Sequence, residues 1–238
     1  MRQGLRVAIR HLTVLPVPWR SGDDDAAHVS LAWFPIVGLV IGALVALILA
    51  APIPAMLRAA LALAAWTGMT GALHEDGWMD CADAALAVVP RDRRLEILKD
   101  PHVGAHAVTA LSLVMLVRFS ALVPAGWTAP IVAAVCGRWT MVITLARFMP
   151  ARTSGLGATF ARGARALPAT VIAAIVIVGL ATLGEVRVVA ASGAAVAAGV
   201  SLAAWLASRF GGLTGDGHGA AGYAAETAAL VVMALQLY

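Results

Sequence analysis

Apolar runs the length of a bilayer crossing alternate along this chain with short polar or arginine-bearing connections. A helix needs roughly 17 to 25 mainly apolar residues to span a membrane. Windows of that kind occur at 30–51, 53–73, 106–125, 129–149, 167–184, 188–208 and 219–238. The last is the weakest, because Glu226 lies inside it. The pattern predicts an all-α fold: a polytopic integral membrane helical bundle of about six to seven transmembrane helices, with residues 1–238 forming one domain. Ahead of the first window, "MRQGLRVAIRHLTVLPVPW" (1–19) mixes Arg with apolar residues and reads as an amphipathic segment in the interface. Gly38, Gly42, Gly193 and Gly199 would let helices approach closely.

Lys and Arg in the connections predict the orientation. Arg2, Arg6, Arg10 and Arg20 precede the first window, Arg91, Arg93, Arg94 and Lys99 follow the second, Arg152, Arg162 and Arg165 follow the fourth, and Arg209 closes the sixth. The alternate connections hold only Arg58 and Arg187. This bias puts the N-terminus and the long polar connections, with any active site they carry, on the cytoplasmic side.

Composition strengthens the membrane reading and narrows the chemistry. Charged residues make up only 13% of the chain, against about 25% in a soluble domain, and cannot cover a water-facing surface. The net charge of +4 does not point to nucleic acid, since the arginines fall in short groups between apolar runs and fit anionic lipid headgroups better. Cys81 and Cys136 form neither a CxxC pair nor a disulfide framework. The N-terminal segment lacks a compact signal-peptide pattern, so cleavage is not expected.

One polar stretch stands out. "HEDGWMDCADAAL" (74–86) directly follows an apolar window and places Asp76, Asp80 and Asp83 at i, i+4 and i+7. On a helix that spacing gathers them on one face. Three carboxylates repel unless a cation compensates, and Mg²⁺ prefers such oxygens while bridging to a substrate phosphate. The plain alternative is a solvated acidic face, though no Lys or Arg is interspersed before Arg91. "PRDRRLEILKDPHVGAH" (90–106) follows with Arg91, Arg93, Arg94, Glu96, Lys99 and Asp100; its cations either neutralise the acidic face or clamp phosphate oxygens. "GGLTGDGHGA" (211–220) adds Asp216 and His218 on flexible backbone, and "RTSGLGATF" (152–160) is a weaker pattern of the same kind. Arg118, Arg138 and Arg147 fall within or at the ends of spans; Arg147 can snorkel, whereas Arg138 is deep enough to be a functional candidate.

Together these residues resemble the cobalamin synthase family, the membrane adenosylcobinamide-GDP ribazoletransferases. The resemblance covers "LTVLPVP" (12–18), "FPIVGLVIGAL" (34–44), "GALHEDGWMDCADAAL" (71–86), "RDRRLEILKDPHVGAHA" (91–107), "GRW" (137–139), "GLG" (155–157) and "GGLTGDGHGA", in family order. Ala84, "AVVP" (87–90), His102 and His106 depart from the family pattern. The resemblance implies transfer of α-ribazole, or its 5′-phosphate, onto adenosylcobinamide-GDP with release of GMP, the last steps of nucleotide loop assembly in cobalamin biosynthesis. It implies Mg²⁺ on Asp76, Asp80 and Asp83, with Glu96 or Asp100 accepting the hydroxyl proton. His74, Arg91, Arg94, Lys99, Arg138 and Asp216 become the expected substrate contacts, in the bacterial inner membrane with the site facing the cytoplasm. Association as a homo-oligomer or with other corrinoid enzymes stays open. A CDP-alcohol phosphotransferase would need a second Asp pair, and a transporter would carry its polar groups at the bilayer midplane rather than in the connections.

Overall fold

The computed structural model describes residues 2–23, 25–183 and 187–235; Asp24, Gly184 and residues 236–238, which include the ends of two predicted spans, lie outside the described residues. The described chain forms helices α1 (Arg2–Leu12), α2 (Ala27–Ser30), α3 (Phe34–Leu49), α4 (Ala55–Thr70), α5 (Leu73–Leu86), α6 (Arg91–Ile97), α7 (Ala105–Leu122), α8 (Thr128–Arg147), α9 (Leu156–Ala161), α10 (Ala166–Thr182), α11 (Arg187–Phe210) and α12 (Gly215–Ala234). A single 3₁₀ turn, Leu31–Trp33, joins α2 to α3. Among the described residues there is no β-strand, only a bridge between Pro150 and Leu213.

Each apolar window coincides with a helix: α3, α4, α7, α8, α10, α11 and α12 in turn. By length and apolarity four segments qualify as membrane spans, the continuous stretch Ala27–Leu49 together with α7, α8 and α11. The chain is an integral membrane protein. α10 is a shorter apolar helix, and α4 qualifies only when joined to α5. α12 does not qualify, and its position explains why. It lies in the middle of the bundle, buried from Gly217 through Tyr223 and again at Ala225, Glu226, Ala229, Leu230 and Met233. A helix shielded from lipid on every side need not be uniformly apolar. α8, equally central, is buried along most of its length, with α3, α11 and α12 packed around it.

Outward faces carry the reverse of a soluble pattern. Leu47, Leu116 and Ile175 are 70%, 62% and 66% exposed, an apolar jacket on α3, α7 and α10 that suits lipid tails. Small residues set the close inner contacts: a Cβ on Gly38 or Gly42 would run into the α8 backbone, and one on Gly199 into Thr140 and Ala221. Gly193 faces open space and makes no such contact. α1 rests Val7, Ala8 and Leu12 against the end of the bundle and pairs Arg6 with Asp23.

The decisive bend separates α4 from α5. Gly71 and Ala72 both adopt positive φ, 62° and 56°, and the two helices meet at 87°. That turn carries α5, with its carboxylates, out of the spanning direction of α4 and across the end of the bundle.

Candidate active site

α5 presents Asp76, Asp80 and Asp83 along one edge, as the i, i+4, i+7 spacing predicts. α12 brings a fourth carboxylate to this edge. Gly77 abuts the start of α12 so tightly that a Cβ would lie 2.8 Å from the Asp216 carbonyl oxygen. Thr214 fixes that helix start, its Oγ1 accepting from Gly217 N–H at 3.1 Å. Leu213 is tied in turn to the loop after α8: its N–H donates to Met149 O at 2.8 Å, and Ala151 N–H donates to Leu213 O at 3.0 Å.

These backbone ties bring together two glycine-rich segments that are far apart in sequence. A Cβ on Gly157 would stand 2.7 Å from Gly215 N, so the first turns of α9 and α12 touch backbone to backbone. Arg152, Ser154, Gly155, Gly157, Thr214 and Asp216 then line a polar cavity of about 250 Å³. Arg152 is the residue that sequence reading passed over. Its guanidinium donates to Leu95 O at 2.7 Å, which anchors it at the rim. Its signal was the "RTSGLGATF" pattern, too short to weigh until Gly157 met Gly215.

Crowding of like charge is the main electrostatic feature. Burial, then Asp76, Asp216 and Asp83, push the Asp80 carboxyl up to about 6. Asp216 is also raised, chiefly by burial, with Arg152 among the groups acting the other way. Among the described residues no Lys, Arg or His forms an ion pair with Asp76 or Asp80. Nor do three His, Cys, Asp or Glu side chains among them converge closely enough to encage a metal ion. An octahedral Mg²⁺ does not require a protein cage: it keeps waters and takes one or two carboxylates together with substrate phosphate. Two hard, uncompensated carboxylates near Asp216, which itself lines the polar cavity, fit that need.

Asp83 is differently employed. Its Oδ2 accepts from Gly104 N–H at 2.6 Å and its Oδ1 from Ala107 N–H at 2.9 Å. The carboxylate caps the N-terminus of α7, where unpaired amides and the helix dipole favour an anion.

The basic segment is also largely structural. Arg91 Nε donates to Phe210 O at 2.6 Å, closing the C-terminus of α11, and Arg94 donates to Ala87 O at 3.2 Å from Nη2. Arg209 likewise holds Ala85 O at the end of α5, at 2.8 Å. Glu96 pairs with Arg93 in solvent, Lys99 is exposed, and Asp100 accepts from both the backbone and the ring of His102, which lowers its carboxyl below the usual range. A lowered carboxyl is a poorer proton acceptor than the sequence reading assumed.

Arg138 stands apart from the polar cavity. It is fully buried and paired with Glu226, which also accepts from Arg118 Nη1 at 2.9 Å. Arg118 lies 4.3 Å from the Tyr223 ring and 4.8 Å from that of Trp66. His74 Nδ1 approaches the same Glu226 at 3.8 Å, and Glu75 accepts from Thr67 Oγ1 at 2.9 Å. The expected substrate contact of Arg138 is thus replaced by a buried charge network across α7, α8 and α12, because a guanidinium at that depth needs a carboxylate more than it needs a ligand.

Comparison with known proteins places this arrangement in context. The Cobalamin-5-phosphate synthase family matches residues 4–234. The "Adenosylcobinamide-GDP ribazoletransferase" of Roseiflexus sp. (strain RS-1) is 36% identical, covering 96% of this chain and 88% of the relative. Those of Deinococcus radiodurans and Chlorobaculum parvum are 37% and 39% identical, covering 91% and 100% of this chain and 80% and 97% of the relatives. No solved structure matches the chain.

Proposed function

The chain belongs to the cobalamin-5-phosphate synthase family, and on that premise we propose that it is an adenosylcobinamide-GDP ribazoletransferase. It joins α-ribazole, or α-ribazole 5′-phosphate, to adenosylcobinamide-GDP and releases GMP. The observation that carries the reading is the meeting of Asp216, Arg152 and two glycine-rich segments around one polar cavity, with Asp76 and Asp80 of α5 close enough to Asp216 for their charges to act on one another. A diphosphate needs charge neutralisation and fixed donors, and little covalent help.

Asp76 and Asp80 would hold Mg²⁺, which when bound neutralises charge on the diphosphate. Arg152 and the backbone N–H groups of the glycine-rich segments bind and orient the phosphate oxygens. Asp216, its carboxyl raised by burial and lining the cavity, accepts the proton of the ribose hydroxyl. The oxygen so freed bonds to the phosphorus next to cobinamide while the bond from that phosphorus to the GMP oxygen breaks. Asp83 holds the start of α7 against α5. The bias of Lys and Arg toward this end of the bundle supports a cytoplasmic active site in the inner membrane.

The test is one incubation of the purified chain in detergent with adenosylcobinamide-GDP, α-ribazole and Mg²⁺, with and without chelator. Cobalamin and GMP should form in equal amounts and stop on chelation. Release of GMP at the same rate without α-ribazole would overturn the reading, as would α-ribazole uptake into proteoliposomes with no product.

A further inference from the structure

Behind Asp216 lies a second cavity, of about 110 Å³, which shares Gly157, Gly215 and Asp216 with the polar one. Its character is opposite. One wall is aromatic: the His11 and Phe160 rings stand 4.6 Å apart, and Phe34 meets Phe160 at 5.9 Å. Met141 and Leu145 also line it. His218 is held by Thr144, Nδ1 to Oγ1 at 2.9 Å. One buried polar atom in this lining has no partner. His74 is 2% exposed and its Nε2 has no hydrogen-bond partner, while its Nδ1 is 3.8 Å from Glu226, beyond hydrogen-bond range.

An apolar space walled by tilted aromatic rings, with a buried ring nitrogen left unpaired, selects its occupant. Guanine would bury several donors and acceptors without partners, and a corrin ring is far too large for the space. A benzimidazole presents flat apolar faces and one imine nitrogen with an unshared pair. Resting on the functional reading above, we propose that this second cavity seats the heteroaromatic base of the acceptor nucleoside, stacked against the His11–Phe160–Phe34 wall with its imine nitrogen accepting from His74 Nε2–H. Its ribose then passes Asp216 into the polar cavity, where the hydroxyl meets the diphosphate.

Gly219 offers a way to fill the cavity without moving the backbone. A Cβ there would meet only His74 Cδ2 at 3.9 Å and Leu73 O at 4.0 Å. In the full-length protein in detergent with Mg²⁺, Gly219→Ala, Gly219→Val and Gly219→Leu should raise KM for α-ribazole progressively, exceeding about tenfold at Leu, with donor KM within about twofold. The indole analogue of α-ribazole, with C–H in place of the imine nitrogen, should show a KM about tenfold above that of α-ribazole, and His74→Leu should erase that difference. Equal rises in both substrates' KM, or a preference for the imine nitrogen that survives His74→Leu, would overturn the proposal. Equilibrium dialysis of α-ribazole without donor reads the cavity independently of turnover. Weaker binding to Gly219→Leu supports the cavity even if no GMP is ever released, in which case only the functional reading fails; equal binding to both proteins overturns the cavity.

Discussion

Asp80 and Asp83 sit one turn apart on α5, yet substituting them should move stability in opposite directions. Asp83 accepts two backbone amides at 2.6 and 2.9 Å. Hydrogen bonds to a charged group contribute about 1.5–3 kcal/mol each when buried. The side chain is only half-buried, so Asp83→Ala should cost about 2–4 kcal/mol in all. Asp80 has the reverse sign. Its carboxyl is raised from 3.8 to about 6, so the fold disfavours its charge. The full shift would correspond to roughly 3 kcal/mol, and screening of a half-exposed group leaves about 1 kcal/mol. That penalty is present above pH 6, fades as pH falls through 6, and is gone below 3.8, where folded and unfolded states both hold the proton.

The assay is thermal unfolding in detergent with chelator present, at pH 8 and pH 4, alongside transferase activity with Mg²⁺. A chain of this length shifts by about 2–4 °C per kcal/mol. Asp83→Ala should melt about 5–15 °C below wild type at pH 8. Asp80→Asn should melt about 2–4 °C above wild type at pH 8, lose that gain at pH 4, and lose transferase activity by at least about a hundredfold. The reasoning is refuted if Asp83→Ala melts with wild type while abolishing turnover, which would make Asp83 a ligand rather than a cap. It is equally refuted if Asp80→Asn is destabilised at pH 8.

Three further expectations concern the surroundings of the site. Glu226→Gln leaves Arg118 and Arg138 buried without their carboxylate and should cost about 3–5 kcal/mol, seen as a fall of about 6–20 °C in detergent Tm; Tm within 2 °C of wild type would show that the guanidiniums find other partners. Gly157→Val places side-chain carbon against Gly215 N, where a Cβ already has only 2.7 Å, and should part the two helix starts, cutting kcat/KM by about a hundredfold with Tm nearly unchanged. Arg152→Met keeps the length of the side chain but removes the guanidinium, and should raise KM for adenosylcobinamide-GDP by about tenfold more than KM for α-ribazole, as measured by GMP release.

Much of this protein could be read directly from the order of its residues. The seven apolar windows became helices because a bilayer-length run of Leu, Val, Ile and Ala satisfies its own backbone only as a helix. The carboxylates of α5 share an edge because helical periodicity is local and survives any packing. The glycine-rich segments turned only at their starts, since Asp216 and His218, expected on flexible backbone, lie in the first turn of α12, and Leu156–Ala161 forms α9. The family match runs along nearly the whole chain. Charge partners were less legible. Arg91 and Arg94 looked like phosphate clamps because sequence shows a cation without showing the helix ends it serves, here Phe210 and Ala87. Arg138 was singled out by depth, but its depth is answered by Glu226, 88 residues away.

The division follows from range. Spans, the carboxylate edge and the polar connections rest on contacts within one or two helical turns, and the sequence alone determined them. Only tertiary packing decided that α12 would be the hidden centre of the bundle, that Asp216 would join α5 at Gly77, and that the helix starts at Gly157 and Gly215 would close on each other. Those depend on backbones meeting across long chain separations, where one missing Cβ sets the distance and no local pattern reports which glycine will face which.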